Sequence, residues 1–176
     1  MTMKLSRRAA LTVGAGGLFV ALGRTAAVAA PPTETALGRG RREGRASVVY
    51  RIANQGWTLK SFPNPEEPQR GSIIVDASHA GAFEQWEIST NGNKSTIRNH
   101  VTWLYAYGEG NQVITISEEG VSPDALAWEI LQINTGVFAI RVPRPGSSLY
   151  WTVDGHSITL TEWAADATQL FSLQRV

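Results

Sequence analysis

A chain of 176 residues, 43% of them hydrophobic and with a formal net charge of +1, is long enough to bury a real core. It has no cysteine, which excludes disulfides, thiol catalysis, Cys-ligated zinc, iron–sulfur clusters and a lipid-modified cysteine anchor. The charge is unevenly placed: residues 1–29 hold Lys4, Arg7, Arg8 and Arg24 and no acid, so the rest carries 12 basic and 15 acidic residues.

Along the chain, Ser6-Arg7-Arg8 comes first, followed by a Gly- and Ala-rich apolar run from Ala9 to about Leu22. Arg24 and the small-residue string Ala27-Val28-Ala29 come next. Paired arginines, a weakly apolar segment and an A-x-A pattern predict an export signal over residues 1–29, twin-arginine-like. Ala10 stands where that signal usually has Phe or Leu. The run is shorter than the ~20 residues a membrane span needs. A secreted, extracellular location is therefore expected. Residues 30–45 contain Pro, Gly, Thr and four arginines (Arg39, Arg41, Arg42, Arg45) with almost no large apolar side chain, the composition of a disordered linker. From Ala46 onward there are 8 basic and 13 acidic residues, a poor balance for nucleic acid, whose affinity rests on neutralising phosphates.

The body from Ala46 to Val176 reads as strands and turns: short runs of Val, Ile, Thr, Tyr and Trp between Gly, Asn, Asp and Pro. The runs recur. Tyr50–Asn54 is echoed by Ser95–Asn99 and Phe138–Val142, and Ile73–Val75 by Ile114–Ile116 and Ile158–Leu160. Phe83–Ile88 is echoed by Leu126–Ile130 and Gln169–Leu173, which spaces Trp86, Trp128 and Phe171 by 42 and 43 residues. Second strands are predicted at Trp57–Lys60, Trp103–Tyr105 and Leu149–Val153. Three units of four strands are too few for a propeller. They predict an all-β fold, a β-trefoil of three four-stranded repeats with pseudo-threefold symmetry, over residues 46–176. The repeated Trp and Ile positions are then inward-facing core.

The Tyr-x-Ile-x-Asn opening and the Gln-x-Trp-like close, repeated from Val48 to Leu173, resemble the ricin-B-type trefoils and related secreted trefoils. In sugar-binding members an Asp at the end of the second strand holds sugar hydroxyls. An aromatic on the third strand stacks on the C–H face, and the Gln of Gln-x-Trp supports the Asp. Here Leu59-Lys60-Ser61, Leu104-Tyr105-Ala106 and Tyr150-Trp151-Thr152 stand where Leu-Asp-Val would, and Glu84, Leu126 and Gln169 occupy the Gln position. The resemblance implies an extracellular glycan as partner. It leaves one candidate carbohydrate-binding set, in the third repeat: Trp151, Asp154, Trp163 and Gln169. Against it, Asp154-Gly155 is also an ordinary hairpin-turn pair. The first repeat offers Asp76 and His79 but no third-strand aromatic.

Other trefoils inhibit proteases through one exposed loop. The insertion Phe62–Gly71, stiffened by three prolines, makes Arg70-Gly71 the candidate inhibitory bond against a secreted trypsin-like protease. Arg144 is the weaker choice because Pro145 follows it. A third alternative is a structural partner for another exported protein, with the Arg-rich linker as tether.

Catalysis is not expected. His79, His100 and His156 fall at unrelated positions in three repeats, without metal-ligand spacing. The acidic pairs Glu66-Glu67 and Glu118-Glu119 are adjacent residues, which point apart on an extended chain. Gly108-Glu109-Gly110-Asn111 leads into a strand rather than a helix, so it is no phosphate loop. No metal, cofactor or catalytic residue is assigned.

Overall fold

The computed structural model describes residues 47–144 and 146–176. The expected export signal and linker, and Ala46, lie outside the described residues. Among these there are twelve strands: β1 Val48–Asn54, β2 Trp57–Pro63, β3 Arg70–Asp76, β4 Gln85–Asn91, β5 Lys94–Asn99, β6 Tyr105–Glu109, β7 Gln112–Ile116, β8 Ala127–Asn134, β9 Val137–Arg141, β10 Leu149–Asp154, β11 Ser157–Glu162 and β12 Ser172–Arg175.

Six of them close a ring. β1 pairs β4, β4 pairs β5, β5 pairs β8 and β8 pairs β9. A Phe138–Phe171 bridge joins β9 to the segment leading into β12, and β12 pairs back with β1. The other six form three hairpins, β2–β3, β6–β7 and β10–β11, held to one another where β7 pairs both β3 and β11. The protein is thus an all-β closed barrel with hairpins gathered against it.

The repeated apolar residues fill its inside. Ile52, Ile97 and Ile140 are fully buried, as are Trp86, Trp128 and Phe171. The indole N–H groups of Trp86 and Trp128 each have a carbonyl partner, as buried indoles usually do. Trp86 Nε1 donates to the Leu59 carbonyl at 2.9 Å and Trp128 Nε1 to the Ala106 carbonyl at 3.0 Å. These two bonds set Leu59 in step with Ala106, so Lys60 matches Tyr107 rather than Tyr105.

Three expectations are corrected. The second strand of the middle repeat is Tyr105–Glu109, not Trp103–Tyr105, because Trp103 adopts a left-handed backbone (φ 62°) that cannot continue a strand. The segments before the Gln-x-Trp-like positions are short 3-10 helices, Gly81–Glu84, Pro123–Leu126 and Ala167–Gln169, so Phe83, Leu126 and Gln169 are not strand residues. The insertion of the first repeat is also shorter than its sequence suggests. Pro63 pairs with Gly71, leaving residues 64–69 as the loop.

Two buried asparagines staple repeats together. Asn54 Nδ2 donates to the carbonyls of Ala167 and Leu170, at 2.7 and 2.8 Å, and Asn99 Nδ2 to that of Phe83 at 2.8 Å. Each thereby holds the 3-10 segment of a neighbouring repeat. Val142 stands at the third such position and has no side chain to do so.

Candidate functional site

The candidate set of the third repeat does not assemble. Trp151 is fully buried, edge-on to Trp128 and Phe171 with ring centroids at 5.1 and 6.2 Å. Phe171 is smaller than the Trp of the other repeats, and Trp151 fills the space, so it cannot meet a ligand. Gln169 is buried too. Its Oε1 accepts from Ala164 N at 2.7 Å, and its Nε2 donates to Thr152 Oγ1, Thr161 Oγ1 and the Glu162 carbonyl at 3.0, 3.1 and 2.8 Å. Nothing remains to support an Asp. Asp154 is exposed at the β10–β11 turn, paired with Ser157, whereas Trp163 follows Glu162, which pairs with Leu149 at the other end of the same hairpin. At about 3.3 Å per residue the two are separated by the hairpin's length. Trp163 is half-buried against Tyr150, with ring centroids 4.8 Å apart.

The family-like position of the first repeat is closed by an ion pair. The Lys60 side chain, 1% exposed, donates to Asp76 Oδ1 and, at 2.7 Å, to Ser78 Oγ. The Lys60 ammonium, with help from Ser78, lowers the Asp76 carboxyl to about 2.

The inhibitory alternative loses its bond. Arg70 and Gly71 lie within β3: Gly71 pairs with Pro63 of β2 and with Thr115 of β7, and Arg70 pairs with Ile116 of β7 while its carbonyl accepts from Asn64 N at 2.7 Å. The Arg70 guanidinium is bound to Glu109 at 2.5 Å and faces Glu67 at 3.6 Å. A protease cleft needs a projecting, unpaired segment, and a ladder strand is neither.

What the structure does expose is a set of apolar side chains at the entry to the second strand of each repeat. Trp57, Trp103 and Leu149 follow one another at 46-residue intervals and are 42%, 59% and 37% exposed. Trp57 opens β2 after the two-residue Gln55-Gly56 turn, both of whose residues have positive φ, and stacks on His156 at 5.6 Å and 10°. Trp103 is displayed by a rigid loop. Asn99 Oδ1 accepts from Val101 N and Thr102 N at 3.1 and 3.0 Å, while the Asn99 carbonyl accepts from Trp103 N at 3.1 Å. A large residue held in left-handed backbone costs of order 1–3 kcal/mol and persists where its surroundings over-determine it.

Polar groups surround Trp103. The Arg98 guanidinium lies 4.4 Å from its ring centre and is ion-paired with Glu87, whose other oxygen accepts from His100 Nδ1 at 2.8 Å. Burial opposes both charges but is outweighed by their contact, so the Arg98 group lies above its ordinary value and the Glu87 carboxyl below its own. Beside them runs a furrow of three connected grooves. One of about 150 Å³ is lined by Glu87, Arg98 and Tyr105. It shares Ser89 and Thr96 with a second of about 130 Å³. That in turn shares Lys94, Asp124 and Ala127 with a third of about 430 Å³ reaching Arg144 and Leu149. Sequence reading placed Trp57, Trp103 and Leu149 in strands and missed this set, although the 46-residue spacing is visible in it.

No family model and no curated protein sequence matches the chain. Solved structures do. A designed threefold-symmetric protein, ThreeFoil, superposes with a TM-score of 0.60 at 14% identity, over 73% of this chain and 99% of that one. The fold is trefoil-like. A Polyporus squamosus lectin, bound to the human-type influenza-binding epitope Neu5Acα2-6Galβ1-4GlcNAc, matches at 0.59 and 18% identity over 76% of this chain and 50% of its own. A GlcNAcα1-4Gal-releasing endo-β-galactosidase from Clostridium perfringens matches at 0.61 and 13% over 73% of this chain and 32% of its own. The chain spans half the length of the lectin and about a third of that of the galactosidase. At such identities the likeness concerns the fold alone.

Proposed function

We propose that the chain is a ricin-B-like β-trefoil that acts, after export, as a non-enzymatic carbohydrate-binding module. The observation that carries this reading is the exposed indole of Trp103, fixed in a left-handed backbone beside the Arg98–Glu87–His100 cluster and a polar furrow. A sugar presents an apolar C–H face and directional hydroxyls side by side, and this surface offers a stacking plane next to charged hydrogen-bonding groups. The lectin among the structural neighbours supports the same class of ligand. Export rests on Ser6-Arg7-Arg8 and Ala27-Val28-Ala29. The protease-inhibitor alternative has no such support, since Arg70-Gly71 is strand.

The test is a glycan array probed with the purified protein, with Trp103→Ala and the double variant Trp57→Ala/Trp103→Ala alongside. Binding to a coherent group of glycans that falls in the single variant and disappears in the double one is expected, with circular dichroism unchanged. Silence across the array, or binding indifferent to both tryptophans, would overturn the reading. Incubation of the bound glycans with the protein is expected to release no product.

A further inference from the structure

The domain carries more acid than base, and its cations are almost all spoken for. Among the described residues, Arg51, Lys60, Arg70, Lys94, Arg98 and Arg141 each stand in an ion pair with a carboxylate. Arg144 and Arg175 stand in none, and of the two it is Arg144 that lines a groove. It is exposed on the β9–β10 connection, at the rim of the groove of about 430 Å³. A volume in that range suits a small ligand. An unneutralised guanidinium at the mouth of such a groove, in a domain otherwise short of positive charge, is a local field that favours an anion.

The rest of the groove sets an apolar wall and polar groups beside that charge. An added Cβ at Gly108 would come within 3.4 and 3.3 Å of the buried Trp128 and Leu160, so glycine lets this wall of the groove pack closely on the core. Leu149 adds an exposed apolar wall, and Tyr107 a phenol. Lys94 stands at the junction with the second groove, its amine 2.9 Å from Asp124 Oδ1 and both side chains solvated, so it can turn toward a ligand.

We infer that this groove binds an anionic sugar residue of a glycan, with Arg144 as counter-ion to its carboxylate or sulfate. The inference rests on the glycan-binding reading and names the ligand's chemistry. Arg144 supplies a planar fork that matches either group with two parallel hydrogen bonds. Leu149 takes the ring's apolar face. The furrow past Lys94 toward Tyr105 takes the residues that follow.

The experiment is titration calorimetry of the full protein with three size-matched oligosaccharides: an oligogalacturonate, a sulfated galactan and a neutral galactan. Wild type and Arg144→Ala are compared, at low and at physiological salt. One acidic oligosaccharide or both should bind at least ~10-fold tighter than the neutral one, the gain a charge-assisted bidentate contact gives. Which one does so separates carboxylate from sulfate recognition. Arg144→Ala should abolish the preference, Arg144→Lys should retain part of it, and added salt should shrink it. Arg144 is exposed in a loop, so these variants fold, which an unchanged melting curve checks. Equal affinity for acidic and neutral oligosaccharides, or a preference that survives Arg144→Ala, would overturn the inference while leaving glycan binding at Trp103 intact. No binding of any of the three, together with a silent glycan array, would overturn both.

Discussion

The indole of Trp151 stands edge-on to that of Trp128, ring centroids 5.1 Å apart and planes at 82°. The pair is buried and shared between two repeats, so Trp151 holds the core where Phe171 leaves room. Trp151→Ala should cost about 3–5 kcal/mol, as large-to-small changes of buried aromatics do. Urea denaturation measures this. Whatever fraction stays folded should keep its ligand affinity, the opposite of what a sugar-stacking residue would show.

The Lys60–Asp76 pair makes the fold sensitive to acid. The Asp76 carboxyl titrates at about 2 in the folded protein against 3.8 ordinarily, so its ionised form stabilises the fold. That contribution is complete above pH 3.8 and is lost as pH falls toward about 2. Thermal melts across this window should show the decline. In Lys60→Met the buried ammonium is gone and Asp76 can turn to solvent, so the slope between these pH values should flatten.

Trp103 separates stability from function. Gly at its position would remove the left-handed strain, a gain of about 1 kcal/mol, and would forfeit the contact with Arg98, worth about 0.5–1 kcal/mol. Trp103→Gly should therefore melt close to wild type while losing glycan affinity. If its melting point falls by ten degrees or more, the indole is structural rather than a contact surface.

The Gln-x-Trp position also predicts an asymmetry between repeats. Gln169 Nε2 donates to two hydroxyls and a carbonyl, so Gln169→Glu sets a carboxylate against the Glu162 carbonyl in a dry site. Loss of about 2–4 kcal/mol is expected, because a buried charge is left unpaired. Glu84 Oε1 accepts from Ala80 N, and Oε2 lies 3.4 Å from Arg51. Glu84→Gln keeps an acceptor for the first and should cost about 1 kcal/mol or less. Parallel denaturation of the two variants measures the difference.

The barrel was legible in the sequence because Ile52, Ile97 and Ile140, and Trp86, Trp128 and Phe171, keep one period, and a shared period marks positions that do the same thing. The surface was not. Trp151 looks like a ligand contact until Phe171 is seen to be too small for its place. Trp103 looks like a strand residue because nothing in its neighbours announces a left-handed backbone. That conformation comes from Asn99, four residues earlier, whose side chain ties down the loop. Lys60 and Asp76 are 16 positions apart, and only the β2–β3 ladder brings them together.

β1 and β12 are neighbours in the ring, joined through Tyr50–Arg175 and by Val176 N to the Val49 carbonyl at 3.0 Å. A ring of this kind has no privileged first strand. Opening it at the Gly92-Asn93 turn between β4 and β5, and joining the old ends by a short tether, would preserve every strand pairing in a different order of synthesis. It also means that β1 waits for one of its two ring partners until almost the whole domain has been made, so the barrel closes late.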